Sequence, residues 1–510
     1  MLRKIRIAIA TVVFILITLL FLDFTGTIHA WFGWLAKIQF LPALLAINVG
    51  VIAVLIIITL IFGRIYCSII CPLGILQDLF AYAGKRFKKN RYSFSPARNW
   101  LRYGFFCVFV VSMLAGFSSI VALLAPYSSF GRIVQNLFAP LWQMANNFFA
   151  YLAERADSYT FYNVDVWIKS SLTFIVAAVT FLLLGVLAWR NGRTYCNTVC
   201  PVGTVLGFLS RFSLLRPVID TSKCNKCGLC ARNCKAACID SKNHSIDYSR
   251  CVACMDCIGS CHQGAIYYEP RHVTKAIEKS DRIATERHNN DQSASRNDSE
   301  NGMNRRKFLS LAAIFTASSV AGAQHKKVDG GLAVIDDKQI PERETPIVPA
   351  GSKSIDNLHR HCTGCQLCVA VCPNQVLRPA ENLEAFMQPQ MSYERGYCRP
   401  ECVECSKVCP TGAINKISVP EKSSIQVGHA VWIAKNCIPL VDGVPCGNCA
   451  RHCPAGAIAM VASDPADDAS AKIPVVNIEK CIGCGACENL CPARPFSAIY
   501  VEGYKHHRLI

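Results

Sequence analysis

The sequence predicts a two-part chain: a membrane α-helical bundle of four transmembrane helices, followed by small cysteine-rich α+β domains. Two observations carry this. Hydrophobic residues make up 52% of the 510 positions, and they are concentrated before Asn191. The chain also holds 30 cysteines, far more than packing requires, most of them beyond the apolar part and grouped in fours at short spacing.

Residues 7–23, 42–62, 102–125 and 171–189 are apolar runs of spanning length, with Pro42 opening the second and Pro126 following the third. Their flanks set an orientation. Arg3, Lys4 and Arg6 precede the first run, and Arg64, Lys85, Arg86, Lys88, Lys89, Arg91, Arg98 and Arg102 fall between the second and third. The opposite loops hold only Lys37, Arg132, Arg155 and Lys169, so both ends of the bundle are expected to face the cytoplasm. Trp31, Trp34, Trp142 and Trp167 fall in the outer loops, where an interfacial aromatic belt would put them. Asp23 and His29 read as solvated loop residues. Haem is not expected: of 12 histidines only His29 lies near the bundle, and Cys257 to His262 reads CxxxCH rather than CxxCH.

The second and fourth runs end in the same device. GlyArgIleTyrCysSerIleIleCysProLeuGly at 63–74 is matched by GlyArgThrTyrCysAsnThrValCysProValGly at 192–203. Thiols four residues apart share one face of a helical turn, and Pro72 and Pro201 then restart the backbone. Cys67, Cys71, Cys196 and Cys200 are therefore candidate redox or metal thiols, and cluster binding, redox pairing and assembly all stay open. Cys107, alone within the third run, reads as a small buried hydrophobe.

The domains expected are 1–215 for the bundle, 216–270 for a cytoplasmic cysteine-rich module, 271–302 for a disordered linker, 303–323 for a signal or anchor helix, and 324–510 for a larger cysteine-rich domain. The first module holds Cys224, Cys227, Cys230, Cys234 and Cys251, Cys254, Cys257, Cys261. The larger one holds Cys362, Cys365, Cys368, Cys372; Cys398, Cys402, Cys405, Cys409; Cys437, Cys446, Cys449, Cys453; and Cys481, Cys484, Cys487, Cys491. CxxCxxCxxxC is ferredoxin spacing: three thiolates on one loop hold a 4Fe-4S cubane, and the fourth reaches across to a second cluster. Zinc sites instead pair two CxxC units across a longer gap. Six 4Fe-4S clusters and ferredoxin-like folds follow as expectations, with Cys261 completing the trio at 224–230, Cys234 the trio at 251–257, and Cys238 left over. Anionic clusters offset part of the formal charge of +18, and no basic stripe interleaved with aromatics points to nucleic acid.

Before the larger domain, Arg305 and Arg306 stand ahead of Phe308 and an apolar run that ends in AlaGlyAla, which resembles a twin-arginine export signal. That route carries folded proteins, so clusters inserted in a reducing compartment would already occupy the thiols.

Residues 1–270, with four helices, two GRxYCxxxCPxG motifs and two quartets, resemble the NapH family of quinol dehydrogenase membrane components. Residues 303–510, with twin arginines, ProAlaGly at 349–351 and four quartets, resemble the NapG and MauM ferredoxin-type families. The resemblance implies a fused electron conduit in the cytoplasmic membrane, drawing on the quinone pool and serving a periplasmic redox enzyme or carrier from a periplasmic C-terminal domain. Similarity to four-cluster subunits of molybdoenzyme systems implies that the outer quartets pair, Cys491 with the first trio and Cys372 with the last, and that the inner two pair through Cys453 and Cys409. Sequential pairing is the alternative. An accessory factor that matures or reductively activates a partner metalloenzyme is the competing function. A redox sensor is weaker, since no DNA-binding or signalling module is evident. Quinone pockets have no short signature, and no residue is assigned to one.

Overall fold

The computed structural model describes residues 2–23, 26–88, 92–158, 160–271, 336–467 and 469–510. The expected linker and twin-arginine segment lie outside them, except Arg271. In chain order the helices of the apolar part are α1 (Leu2–Leu22), α2 (Val49–Phe62), α3 (Pro72–Lys88), α4 (Asn99–Leu114), α5 (Pro126–Ile133), α6 (Ala139–Arg155), α7 (Ser171–Asn191) and α8 (Pro201–Leu209), joined by shorter helical turns.

Among the described residues two helices, α1 and α7, each of 21 residues, are long and apolar enough to cross a membrane, where the sequence predicts four. The other two expected spans are broken by identifiable residues. The run at 42–62 stops after a short helix at Phe40–Leu45 and restarts at Asn48, whose side chain caps α2 by accepting from the Val51 N–H at 3.2 Å. The run at 102–125 stops at Leu114, turns at Gly116 with φ +81°, and resumes at Ser118–Leu124. Helices of 14 and 16 residues remain.

Helix α3 lies along α7, with Phe80 on Phe181 at 5.3 Å and Phe87 stacked on Trp189 at 6.3 Å. Every residue of α5 is buried, and Phe130 packs against Phe14 and Phe21 of α1 at 5.5 and 6.3 Å. The cysteine-rich segments are small α+β units: one-turn helices at Leu229–Asn233 and Asp256–Ser260 lie between antiparallel partners Leu215–Ile219 and Ile266–Pro270. In the C-terminal part Ile425–Trp432 pairs with Ile499–Leu509, and Ile458–Ala462 with Lys472–Val476.

The two cysteine-rich parts meet opposite ends of α1. At its start, Arg3 Nε donates to Asp256 at 2.9 Å. Nearby, Asp78 of α3 accepts from Arg193 at 2.7 Å, Lys235 at 2.8 Å and Arg6 at 3.4 Å. At its end, Phe21 and the Cys365 carbonyl both press on Gly131, where a Cβ would sit 2.4 Å from that carbonyl oxygen. Asn136 donates to Gln366 at 2.9 Å, and Lys169 to the Val369 carbonyl at 3.1 Å.

Three smaller expectations change. Trp167 does not stand free in an aromatic belt: Arg378 and Arg395 stack on its ring at 4.4 and 4.5 Å, so it docks the C-terminal part. Asp23 is buried, and its carboxylate accepts from the backbone N–H groups of Gly26, Ile28 and His29. Cys107 is on the exposed face of α4.

Candidate metal centres

The CxxCxxC loops share one backbone signature. Two and four residues after the first cysteine the chain takes positive φ: Lys226 and Gly228, Ala253 and Met255, Gly364 and Gln366, Gly483 and Gly485. Alternating left-handed residues turn successive N–H groups to one side and form a concavity suited to an anion. The Gly364 N–H donates to Cys362 Sγ at 3.4 Å. The two quartets of lengthened spacing lack this pattern, with Val403 at φ −123° and Gly447 at −162°. In the first of these two, Lys422 Nζ lies 3.1 Å from Cys398 Sγ.

Each trio leads into a helical turn and faces a fourth thiol from its neighbour. Cys362, Cys365 and Cys368 line one cavity with Cys409, while Cys398, Cys402 and Cys405 line another with Cys372. Cys437, Cys446 and Cys449 gather with Cys491, and Cys481, Cys484 and Cys487 with Cys453. This is sequential pairing, first with second and third with fourth, and it overturns the outer-with-outer arrangement. The physical reason is packing: the helical turn at Leu367–Ala370 lies against that at Glu404–Val408, and the turn at Asn448–Arg451 against that at Ala486–Leu490, so each fourth cysteine reaches the adjacent loop of the same module. Four of the six fourth sulfurs are alike in their surroundings, accepting backbone N–H groups from Ala265 to Cys261 (3.3 Å), Ile414 to Cys409 (3.4 Å), Ala457 to Cys453 (3.2 Å) and Ala498 to Cys491 (3.4 Å). In the module near Asp256, Cys234 joins Cys251, Cys254 and Cys257 around one cavity; Cys224, Cys230 and Cys261 pack on the same core, with Cys227 exposed.

Among the described residues no three cysteine, histidine or acidic side chains are grouped as on a single metal ion. Thiols spread around a cavity, with N–H groups turned toward sulfur, fit a multi-iron cluster.

Cys238 is not idle. It lines the cavity of Cys234 and Cys251, 3.5 Å from Cys234 Sγ. Its hydrogen bond pulls the Cys234 thiol down to about 7 and lowers that of Cys251 as well.

Matches to known families fall on these segments. A 4Fe-4S binding domain matches residues 43–91 and 171–219, and a 4Fe-4S dicluster domain matches 361–413 and 444–494. The methylamine utilization ferredoxin-type protein MauM of Methylorubrum extorquens is 33% identical over 147 residues, 28% of this chain and 66% of its own length. MauM of Paracoccus denitrificans is 30% identical over 164 residues, 31% of this chain and 73% of its own length. The chain belongs to the MauM ferredoxin-type family. Ferredoxin-type protein NapG of Escherichia coli is 28% identical over 152 residues, 28% of this chain and 64% of its own. No solved structure matches the chain. As a MauM-type protein it is a ferredoxin-type iron-sulfur protein of electron transfer, and it carries 4Fe-4S clusters.

The candidate thiols of the bundle are also brought together. Cys67, Cys71, Cys196 and Cys200 are all buried, and Cys67, Cys71 and Cys200 share one core. What sequence reading missed in this MauM-family chain is their setting. Arg64 and Arg193, fully buried, stand beside the thiols, with Gln77 3.2 Å from Cys196 Sγ. The arginines lie inside the repeated motif, which is the signal that marks them.

Proposed function

We propose that the chain is a membrane-bound electron conduit that oxidises quinol and delivers electrons to a periplasmic redox partner. The observation that carries this reading is the seating of the two cysteine-rich parts at opposite ends of α1. A helix of 21 residues is about 31 Å long, close to the ~30 Å hydrocarbon core of a bilayer. Parts docked at its two ends would face opposite sides of a membrane.

Within this reading the bundle is NapH-like and the C-terminal domain NapG-like and MauM-like, the two joined in one chain with the boundaries given above. The bundle crosses four times: α1 and α7 span directly, while α2 and α4 span with the short helices at Phe40–Leu45 and Ser118–Leu124 as interrupted segments buried against protein. The 24 quartet cysteines ligate six cubanes, each supplying one-electron redox chemistry when bound. The segment at 303–323 directs export of the C-terminal domain with its clusters in place.

The chain's own residues do the rest. N–H nests and Lys422 stabilise anionic thiolate sets, and the Asp78, Arg193, Lys235 and Asp256 network fixes the first module on the bundle. The test is anaerobic mixing of purified protein with a short-chain quinol. Bleaching of the cluster absorbance supports the reading, and full iron loading without any response overturns the quinol part. A C-terminal reporter fusion tests the side: export-dependent signal is expected, and cytoplasmic signal overturns the orientation.

A further inference from the structure

The two repeated motifs do not merely resemble each other; each supplies a cation to the other. Arg64 of the first motif donates to Asn197 Oδ1 at 2.8 Å and to the Cys196 carbonyl at 3.2 Å in the second. Arg193 of the second donates to the Cys67 carbonyl at 2.7 Å in the first. Each guanidinium also comes within 3.9 Å of a thiol of its own motif, Arg64 to Cys67 Sγ and Arg193 to Cys196 Sγ. The closing glycines admit these crossings. A Cβ at Gly74 would lie 2.6 Å from Arg193 Nη1, and one at Gly203 would lie 2.9 Å from Arg64 Nη2.

The four thiols are neighbours across the repeat. Cys71 is within electrostatic reach of Cys196 and Cys67, and Cys200 of Cys196, Cys71 and Cys67. Tyr66 and Tyr195 are each within electrostatic reach of thiols of both halves. Cys200 caps α8 and accepts from the Gly203 N–H at 3.4 Å, so the positive end of a nine-residue helix points at its sulfur. Arg193 is balanced by Asp78 at 2.7 Å. Arg64, 0% exposed, has no carboxylate partner among the described residues, and both Arg64 Nε and Arg193 Nη2 lack any hydrogen-bond partner there. A buried guanidinium without an anion is costly, which calls for negative charge at the thiols. A disulfide pair has none; a thiolate-ligated cluster does.

The 4Fe-4S binding-domain matches at 43–91 and 171–219 contain two cysteines apiece, Cys67 and Cys71 in one, Cys196 and Cys200 in the other. A cubane takes four thiolates, so neither half is sufficient alone. We propose that Cys67, Cys71, Cys196 and Cys200 together bind one further 4Fe-4S cluster, shared between the two halves of the bundle and countered by Arg64 and Arg193. It adds a seventh site to the six of the proposed function and rests on reading the quartets as cubane sites.

The test is iron and acid-labile sulfide per chain in anaerobically purified full-length protein, compared with the Cys67→Ser, Cys196→Ser variant. The wild type is expected to hold about 28 irons and the variant about four fewer. The difference between the two is the readout, because incomplete loading of the quartets lowers both alike and bears only on the six-cluster reading. Equal iron in both overturns the proposal. Should the variant fail to accumulate, the wild type decides alone: alkylation under denaturing, non-reducing conditions is expected to recover all four cysteines as free thiols alongside about 28 irons. A disulfide among them, or a fully loaded protein with about 24 irons, overturns it.

Discussion

At single positions, the chemistry turns on which thiol faces which. Because Cys409 shares a cavity with Cys362, Cys365 and Cys368, Cys409→Ala is expected to remove the signal of that cluster in electron paramagnetic resonance and to spare the one at Cys437, Cys446, Cys449 and Cys491. Loss of the latter signal instead would restore the outer pairing. Spacing could not settle this, since every fourth cysteine sits at the same distance from its trio and only the packing of neighbouring loops selects its destination. Cys238 looked superfluous for a similar reason: the quartets close without it, and only the fold brings its thiol to Cys234 and Cys251. Hydrogen bonds to cluster sulfurs raise reduction potentials, so Cys238→Ala is expected to lower the potential of one cluster in a redox titration without changing the iron count. His507 gives a pH dependence. Burial lowers its pKa from 6.5 to about 4, and neither ring nitrogen has a partner among the described residues. The neutral form is favoured in the fold, so the associated stability is complete above pH 6.5 and lost as pH falls toward 4. His507→Phe is expected to flatten that loss, up to ~3 kcal/mol, in melting curves of the full chain between those pH values.

The helices show where hydropathy alone misleads. Runs at 42–62 and 102–125 read as continuous because Asn48 and Gly116 barely lower a window average, yet one starts a helix by capping it and the other ends one by its left-handed backbone. The cysteine loops were legible because ligation demands the spacing itself. The ion network below α3 was not, since Asp78, Arg193 and Lys235 are far apart in sequence and a charge has no period. Burial opposes ionisation of Asp78, but Arg193 and Lys235 outweigh it and hold the carboxyl well below the usual range. Asp78→Asn would leave Arg193 and Arg6 without a carboxylate, while Lys235 keeps Asp256 at 3.1 Å, and is expected to destabilise the bundle by about 3–5 kcal/mol, read as a lower melting temperature in detergent. Gly131→Ala places a methyl against the Cys365 carbonyl and is expected to loosen the C-terminal part, read as faster proteolysis of residues beyond 336 with α1 to α7 intact.

Over the whole molecule, the chain is organised as two halves of a bundle that complete one another, with cysteine-rich parts seated at each end of its first helix. The exchange of Arg64 and Arg193 has a consequence for synthesis. The first motif ends at Gly74, but the arginine that binds its Cys67 carbonyl arrives at position 193, so more than a hundred residues must be added before the earlier thiols meet the second pair. At roughly 5–20 residues per second, that is an interval of about ten seconds in which Cys67 and Cys71 wait uncovered on a growing chain. A cluster shared by the four thiols would be assembled only after the second half has left the ribosome, and a chain truncated between the motifs is expected to expose both thiols to alkylation.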